Sequence, residues 1–562
     1  MEPLLFNSLA FAKFFLVVFV VSWLLARLPR GRFWFLATAS YVFYAGLDLF
    51  SFDLLRNVGE LGLVGAVQRG APHLVFVPIV FIGSTVDYWL SLWIGDTEDP
   101  VKRKRLVYLT VAMNTGLLLV FKYWDFLADQ VIALGGPDGR LGLPLPIGIS
   151  FFTFMSLSYV VDVYRRELPP CRDYAHYVTY IAFFPHLVAG PIIRGKDLLP
   201  LFAERVTLTT ANASEGVFLV MVGLVKKVII SDYLAINLVD RVVAEPTSFS
   251  SVEVAAAMFG YSIQIYCDFS GYSDVAIGIA LLLGYRLKIN FDAPFKASNL
   301  VKFWRRWHIS LSSWLRDYVY IPLGGSRILR TGETPERAAL RRRAAVVVTT
   351  IGLALFAWRG LLGIRNSDAN ASVSHMLAFL GASLVMLAGL YLADQGRKYV
   401  NVWITMVVCG VWHGAAWSYV LFGVVQGLFV ALSHFWFDSR GKKPGDAGDA
   451  APGAEKILSV LVTFVFTTLT FVLIRAPLDK ALLMYKQLFV LSSFTPNLTR
   501  PLLAIIVGGL VLQWLPRSVF TNVRRSFAAL PGLGQAVVAF VVALLLRHFA
   551  SAEAVPFVYG QF

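Results

Sequence analysis

Long apolar runs, recurring from one end of the chain to the other, constrain this sequence more than any other feature. They cover 10–26, 33–50, 74–94, 106–122, 147–164, 215–231, 252–283, 344–363, 376–393, 399–437, 457–475, 500–516 and 536–549. Most are near the roughly 20 residues that an α-helix needs to cross ~30 Å of hydrocarbon. Inside hydrocarbon every backbone amide must find its partner within the protein, which a helix achieves by itself. The expectation is an all-α polytopic membrane protein with about 11–14 transmembrane or re-entrant helices, forming one membrane domain over 1–562. At 57% hydrophobic and 15% charged residues, with a mean hydropathy of +0.66, the chain does not read as a soluble multidomain protein.

The net charge of +15 raises nucleic acid as a partner, but its distribution argues against that. The basic residues cluster between the runs: Arg27, Arg30 and Arg32; Lys102 to Arg105; Arg165 and Arg166; Arg327 to Arg343; Arg440, Lys442 and Lys443; Arg524 and Arg525. Such clusters anchor cytoplasmic loops and meet anionic lipid. With the first cluster inside, both termini fall outside the cytoplasm. The first run has no basic n-region or small-residue cleavage site and is expected to be retained. Cys171, Cys267 and Cys409 form neither a disulfide framework nor a metal-binding spacing. Residues 438–455 read as a flexible Gly/Ala/Pro/Asp linker.

Within this pattern His413 stands out. No Asp, Glu, Lys or Arg lies between Lys398 and Asp438, so the imidazole sits in a segment that belongs in hydrocarbon. An ionisable group at that depth is a functional-site candidate. If helical throughout, 399–437 would be roughly 58 Å long, nearly two crossings. Gly410 and Gly414 make a break beside His413 easy. The stretch 290–330 is the second focus. Asn299 is placed to cap a helix through Val301, Trp304, His308, Leu311 and Leu315, with His308 on the apolar face. Trp304, Trp307 and Trp314, interleaved with Lys302, Arg305 and Arg306, suggest that this helix lies at the headgroup level and stops at Pro322-Leu323-Gly324-Gly325.

Several ordered motifs then narrow the reading. They are Ser158-Tyr159-Val160-Val161-Asp162-Val163-Tyr164-Arg165, Phe183 to Pro191, Gln264 to Asp274, Phe303 to Ser312, Trp314 to Tyr318, and Val411-Trp412-His413-Gly414. Together they resemble the membrane-bound O-acyltransferases of the alginate O-acetyltransferase type, over about 150–475 and the tail. The resemblance implies a helical bundle with a central funnel and no bound cofactor. It implies acetyl-CoA as cytoplasmic acyl donor, an exported glycan as acceptor, and a bacterial inner-membrane location. It further implies an extracytoplasmic esterase-like partner, supplied by a separate chain. In relatives the two histidines usually sit closer in sequence; here 344–393 can form an extra helical hairpin between them.

Acyl transfer from a thioester needs a base near the attacking hydroxyl, which a neutral histidine supplies. His413 is read as that base. His308 is read either as a partner that positions the acyl chain or polarises its carbonyl, or as an interfacial anchor. Lys302, Arg305 and Arg306 suit CoA phosphates and suit anionic headgroups equally well. Asp268 and Asp274, in an otherwise apolar segment, are expected in the funnel wall with Trp304 and Trp412, each carboxylate paired with Arg, Tyr or a helix end. The tail 553–562 carries Tyr559, which the resemblance suggests as an acyl relay, a packing tail being the other reading. D-alanyl transfer, lipid or protein acylation, and transport of a polysaccharide or acyl donor are the competing functions.

Overall fold

The computed structural model describes residues 5–46, 73–326, 335–365, 381–391, 397–441, 453–550 and 557. Among them every regular element is helical. The principal helices of the first half are Leu9–Leu24 (α1), Pro29–Ala45 (α2), Val77–Asp96 (α3), Pro100–Leu118 (α4), Ile149–Tyr164 (α5), Tyr174–Ala182 (α6), Thr210–Leu224 (α7) and Ser251–Leu282 (α8). Then follow Leu300–Trp304 (α9), Ile309–Leu315 (α10), Pro335–Arg365 (α11), Gly381–Tyr391 (α12), Lys398–His413 (α13), Trp417–Ser439 (α14), Gly453–Arg475 (α15), Arg500–Trp514 (α16), Arg517–Ala529 (α17) and Gly532–Phe549 (α18).

Seven of the described helical spans, or up to eight, are long and apolar enough to cross a bilayer. The all-α polytopic membrane fold is therefore what this chain adopts. Among the described residues, some apolar runs end early or break. The run at 147–164 yields only 16 helical residues. That at 215–231 passes from α-helix to a π-helical turn after Leu224.

The chain folds as two compact units. The first comprises 1–229, 267–289 and 516–562. Local signals set its helix ends: Ser8 caps α1 through its hydroxyl, and Asp99 caps α4 ahead of Pro100. Gly46 closes α2 in the left-handed region at φ 71°. Inside, Asp87 of α3 accepts hydrogen bonds from Asn114 of α4 and Ser156 of α5, joining three helices through one buried carboxylate. Helix α7 meets α8 through paired glycines. A Cβ on Gly223 would lie 2.4 Å from the Gly271 carbonyl oxygen, and one on Gly278 would lie 2.6 Å from that of Gly216. Close backbone approach of this kind is how membrane helices gain dispersion contact without a hydrophobic drive.

The second unit comprises 230–266 and 290–515. At its centre α13 and α14 form a tight helical hairpin, on which α12 packs through Met386 and Leu387 against Val424 and Leu428. Helix α11 meets α12 closely at Gly352 and Gly389: a Cβ on Gly389 would fall 2.4 Å from Thr349 Oγ1.

Candidate functional site

His413 is the last residue of α13. The break expected beside it occurs at Gly414 to Ala416, with Gly414 and Ala416 in extended conformation before α14 starts at Trp417. Gly410 does not take part in that break. It lies within α13 and lets α14 approach: a Cβ there would sit 2.4 Å from the Tyr419 carbonyl oxygen, and one on Gly423 would sit 2.7 Å from that of Met406. Gly414 has no room either, since its Cβ would fall 2.2 Å from Tyr419 Cε2. The glycines thus draw two apolar helices together and leave His413 at the closed end of the hairpin, 2% exposed. Its ring meets Trp412 and Phe422 edge-on, at 5.0 and 5.7 Å.

His308 reaches the same place by another route, and here the sequence-based expectation needs correcting. The continuous helix through Val301 and Leu315 does not form. Asn299 does cap the helix start, accepting from the Lys302 amide at 2.9 Å. Helix α9 nevertheless ends at Trp304, and α10 begins at Ile309. Between them His308 takes left-handed backbone angles, φ 41° and ψ 56°, uncommon for a residue with a Cβ. The segment 290–292 competes for the backbone there. The Ile309 amide donates to the Asn290 carbonyl and the Asp292 amide to the Arg306 carbonyl, both at 2.9 Å. The result is a turn that carries His308 fully buried, edge-on to Trp412 at 5.7 Å and parallel to Phe291 at 6.4 Å.

The Trp412 indole therefore contacts both imidazoles, and the two histidines lie within electrostatic reach of each other. A buried polar chain fixes the turn against the hairpin. Trp304 Nε1 donates to Gln426 Oε1 at 3.2 Å, and the Gln426 amide donates to Thr470 Oγ1 at 2.7 Å. Sequence reading missed Asn290, Gln426 and Thr470. An isolated Gln within the uncharged run 399–437 was the one visible signal.

Trp304, Trp307 and Trp314 are buried, with Trp307 packed on Phe303 and Phe471 at 5.6 and 5.0 Å. They fill protein interior, as large aromatic rings also do. Lys302 is buried with them, Arg306 is half-buried and Arg305 is exposed.

Asp268 and Asp274 belong to the first unit. Each pairs with a lysine, in place of the Arg or Tyr expected: Asp268 with Lys227 and Asp274 with Lys226, both at 2.6 Å. Both lysines lie in the π-helical turn Val225–Asp232, whose wider winding places consecutive residues toward α8. Tyr559 lies outside the described residues. Two positions earlier, Phe557 is buried in the first unit, with its ring 4.7 Å from Tyr272 and 5.4 Å from Phe269. His186, of the same unit, is buried against Phe183.

In this multi-pass helical membrane protein, two histidines buried around one indole provide two groups able to exchange a proton. The profile of the membrane-bound O-acyltransferase family matches residues 104–334, which include His308. The probable alginate O-acetylase AlgI of Pseudomonas aeruginosa is 32% identical over 92% of this chain and 81% of its own length. The peptidoglycan O-acetyltransferase of Helicobacter pylori is 30% identical over 74% of this chain and 70% of its own. The teichoic acid D-alanyltransferase of Bacillus subtilis is 24% identical over 58% and 67%. The chain belongs to the membrane-bound O-acyltransferase family, and it is an acyltransferase.

Proposed function

We propose that this acyltransferase is an O-acetyltransferase that takes acetyl from cytoplasmic acetyl-CoA and delivers it across the bacterial inner membrane to an exported polysaccharide. The meeting of His308 and His413 around Trp412 carries the reading. The O-acetylases among the relatives, at 30–33% identity, favour acetyl over the D-alanyl group named for relatives at 22–24%.

In this mechanism His413 removes the proton of the acceptor hydroxyl as its oxygen attacks the thioester carbonyl. The tetrahedral adduct collapses, the C–S bond breaks, and the imidazolium returns its proton to the CoA thiolate. General base catalysis of this kind contributes about 10²–10⁴-fold. Arg305 and Arg306 are the groups assigned to the CoA phosphates; Lys302, being buried, serves the site from within. Trp304 and Trp412 remain the proposed funnel wall beside the two histidines. Both termini lie outside the cytoplasm in this scheme, where Tyr559 accepts the acetyl group as a phenyl ester. An esterase-like partner then moves it to the glycan. A phenolate leaves more readily than an alkoxide, since Tyr has a pKa of about 10, which suits a relay.

The test uses membranes supplied with acetyl-labelled acetyl-CoA. Label is expected on an acceptor with the wild-type protein and absent with His413→Ala at equal protein level. Labelling from a D-alanyl carrier and not from acetyl-CoA would replace acetyl by D-alanyl.

A further inference from the structure

Asn290 is the residue whose surroundings the acyl-transfer reading leaves unexplained. It is 1% exposed, it lies eighteen positions before His308, and its side chain faces the imidazole. The Ser310 backbone amide points at Asn290 Oδ1 at 3.1 Å. A backbone N–H only donates, so the atom facing it is the amide oxygen and not the NH₂ group. The Ser310 hydroxyl, 2.9 Å from the same oxygen, must then spend its hydrogen there as well. His308 Nδ1 lies 3.3 Å from that oxygen and 3.4 Å from the hydroxyl oxygen. Both neighbours therefore offer it lone pairs, and Nδ1 carries the hydrogen.

From this we infer that Asn290 is a positioning residue that fixes the tautomer of His308, so that the neutral ring bears its lone pair at Nε2. Such a ring accepts a proton at Nε2 and has no N–H there with which to polarise a carbonyl. His308 thereby becomes a second proton acceptor beside His413, in place of the carbonyl-polarising partner suggested by sequence. The same amide oxygen, together with the Asn290 backbone carbonyl that accepts from Ile309, holds the left-handed turn that His308 occupies. The division of labour resembles that of other histidines whose second nitrogen sets the tautomer of the first. The assignment of a proton-accepting role rests on the acyl-transfer reading; the tautomer itself does not.

Two measurements test the inference separately. The first is the ¹⁵N spectrum of histidine-labelled protein in lipid, with the His308 signals identified by their loss in His308→Gln. The expected result is protonated Nδ1 and unprotonated Nε2 in the neutral ring; the opposite tautomer overturns the proposal whether or not acetyl-CoA is the donor. The second is the pH profile of acyl transfer. The titratable and charged groups on the elements packed round His308 include His413, Tyr399 and Lys398 on α13, His434 and Asp438 on α14, Lys302, Arg305 and Arg306 on α9 and its turn, and Asp292 beside Asn290. Asn290→Asp keeps both acceptor contacts and adds a negative charge at Nδ1, which favours imidazolium. The acid limb of the profile is expected to move to higher pH by about one unit, a tenfold shift in proton affinity. Asn290→Ala is expected to lower the rate at least about tenfold at equal protein level. An unmoved limb in Asn290→Asp, or a wild-type rate in Asn290→Ala, overturns the proposal. Failure of wild-type membranes to use acetyl-CoA counts against the donor alone, because the spectrum decides the tautomer.

Discussion

At the scale of single residues, His413 and His308 are buried for different reasons. His413 lies in a stretch with no charged residue, so its depth is a property of composition. His308 follows Lys302, Arg305 and Arg306 within six positions and is buried because 290–292 pulls the chain into a turn. Replacement of His413 by Ala should remove the base and lower acyl transfer about 10²–10⁴-fold. Protein level should stay near wild type, with the thermal midpoint in detergent lowered only by the cavity left between Trp412 and Phe422. Rates per unit of protein on purified membranes check this. An activity loss accompanied by loss of the protein would instead mark His413 as structural.

At the scale of elements, hydropathy locates helices well and locates their breaks poorly. Helix α13 stops beside Gly414, as the length of 399–437 demanded, since one crossing cannot hold it. The break between α9 and α10 has no such signature: no Gly or Pro lies in 300–315, and the interruption comes from hydrogen bonds donated and accepted by residues distant in sequence. The hairpin is closed by Gly410 and Gly423, whose missing Cβ atoms face backbone, where no rotamer change makes room. Gly423→Leu should therefore force α13 and α14 apart, at about 1–3 kcal/mol for overpacking. It should lower the thermal midpoint and acyl transfer together, because His413 sits at the end that opens. Gly441→Leu, at a position with nothing within 4 Å of its Cβ, carries a left-handed φ of 65° and so tests backbone strain without the steric wedge. Its activity should remain close to wild type.

At the scale of the whole molecule, buried charge and the tail are the features to test. Lys227 and Asp268 form an ion pair in which the carboxylate is fully buried. Removing the cation alone leaves a charge in a low-dielectric interior, at about 3–5 kcal/mol, whereas an apolar replacement of both is often neutral. Lys227→Met should lower the thermal midpoint strongly, and Lys227→Met with Asp268→Leu should recover most of it. A double variant no better than the single one would show that the pair has a role beyond charge balance. For the tail, Tyr559→Phe should abolish polymer acetylation while leaving the protein in the membrane at its normal level. Normal acetylation by that variant would remove the relay from the proposed sequence of steps.

The sequence by itself determined the solvent in which this protein folds, its helical class and the candidacy of His413. These depend on composition and on period along the chain, and hydrocarbon leaves the backbone few alternatives. The ordered motifs, read as a resemblance, supplied the family. Tertiary structure decided where helices break, which tryptophans are interior, that lysines and not arginines face Asp268 and Asp274, and that Asn290 faces His308. Each of these depends on backbone and side-chain groups far apart in sequence competing for the same hydrogen bonds or the same space. No local pattern records the outcome of that competition, because either partner alone would be compatible with several others.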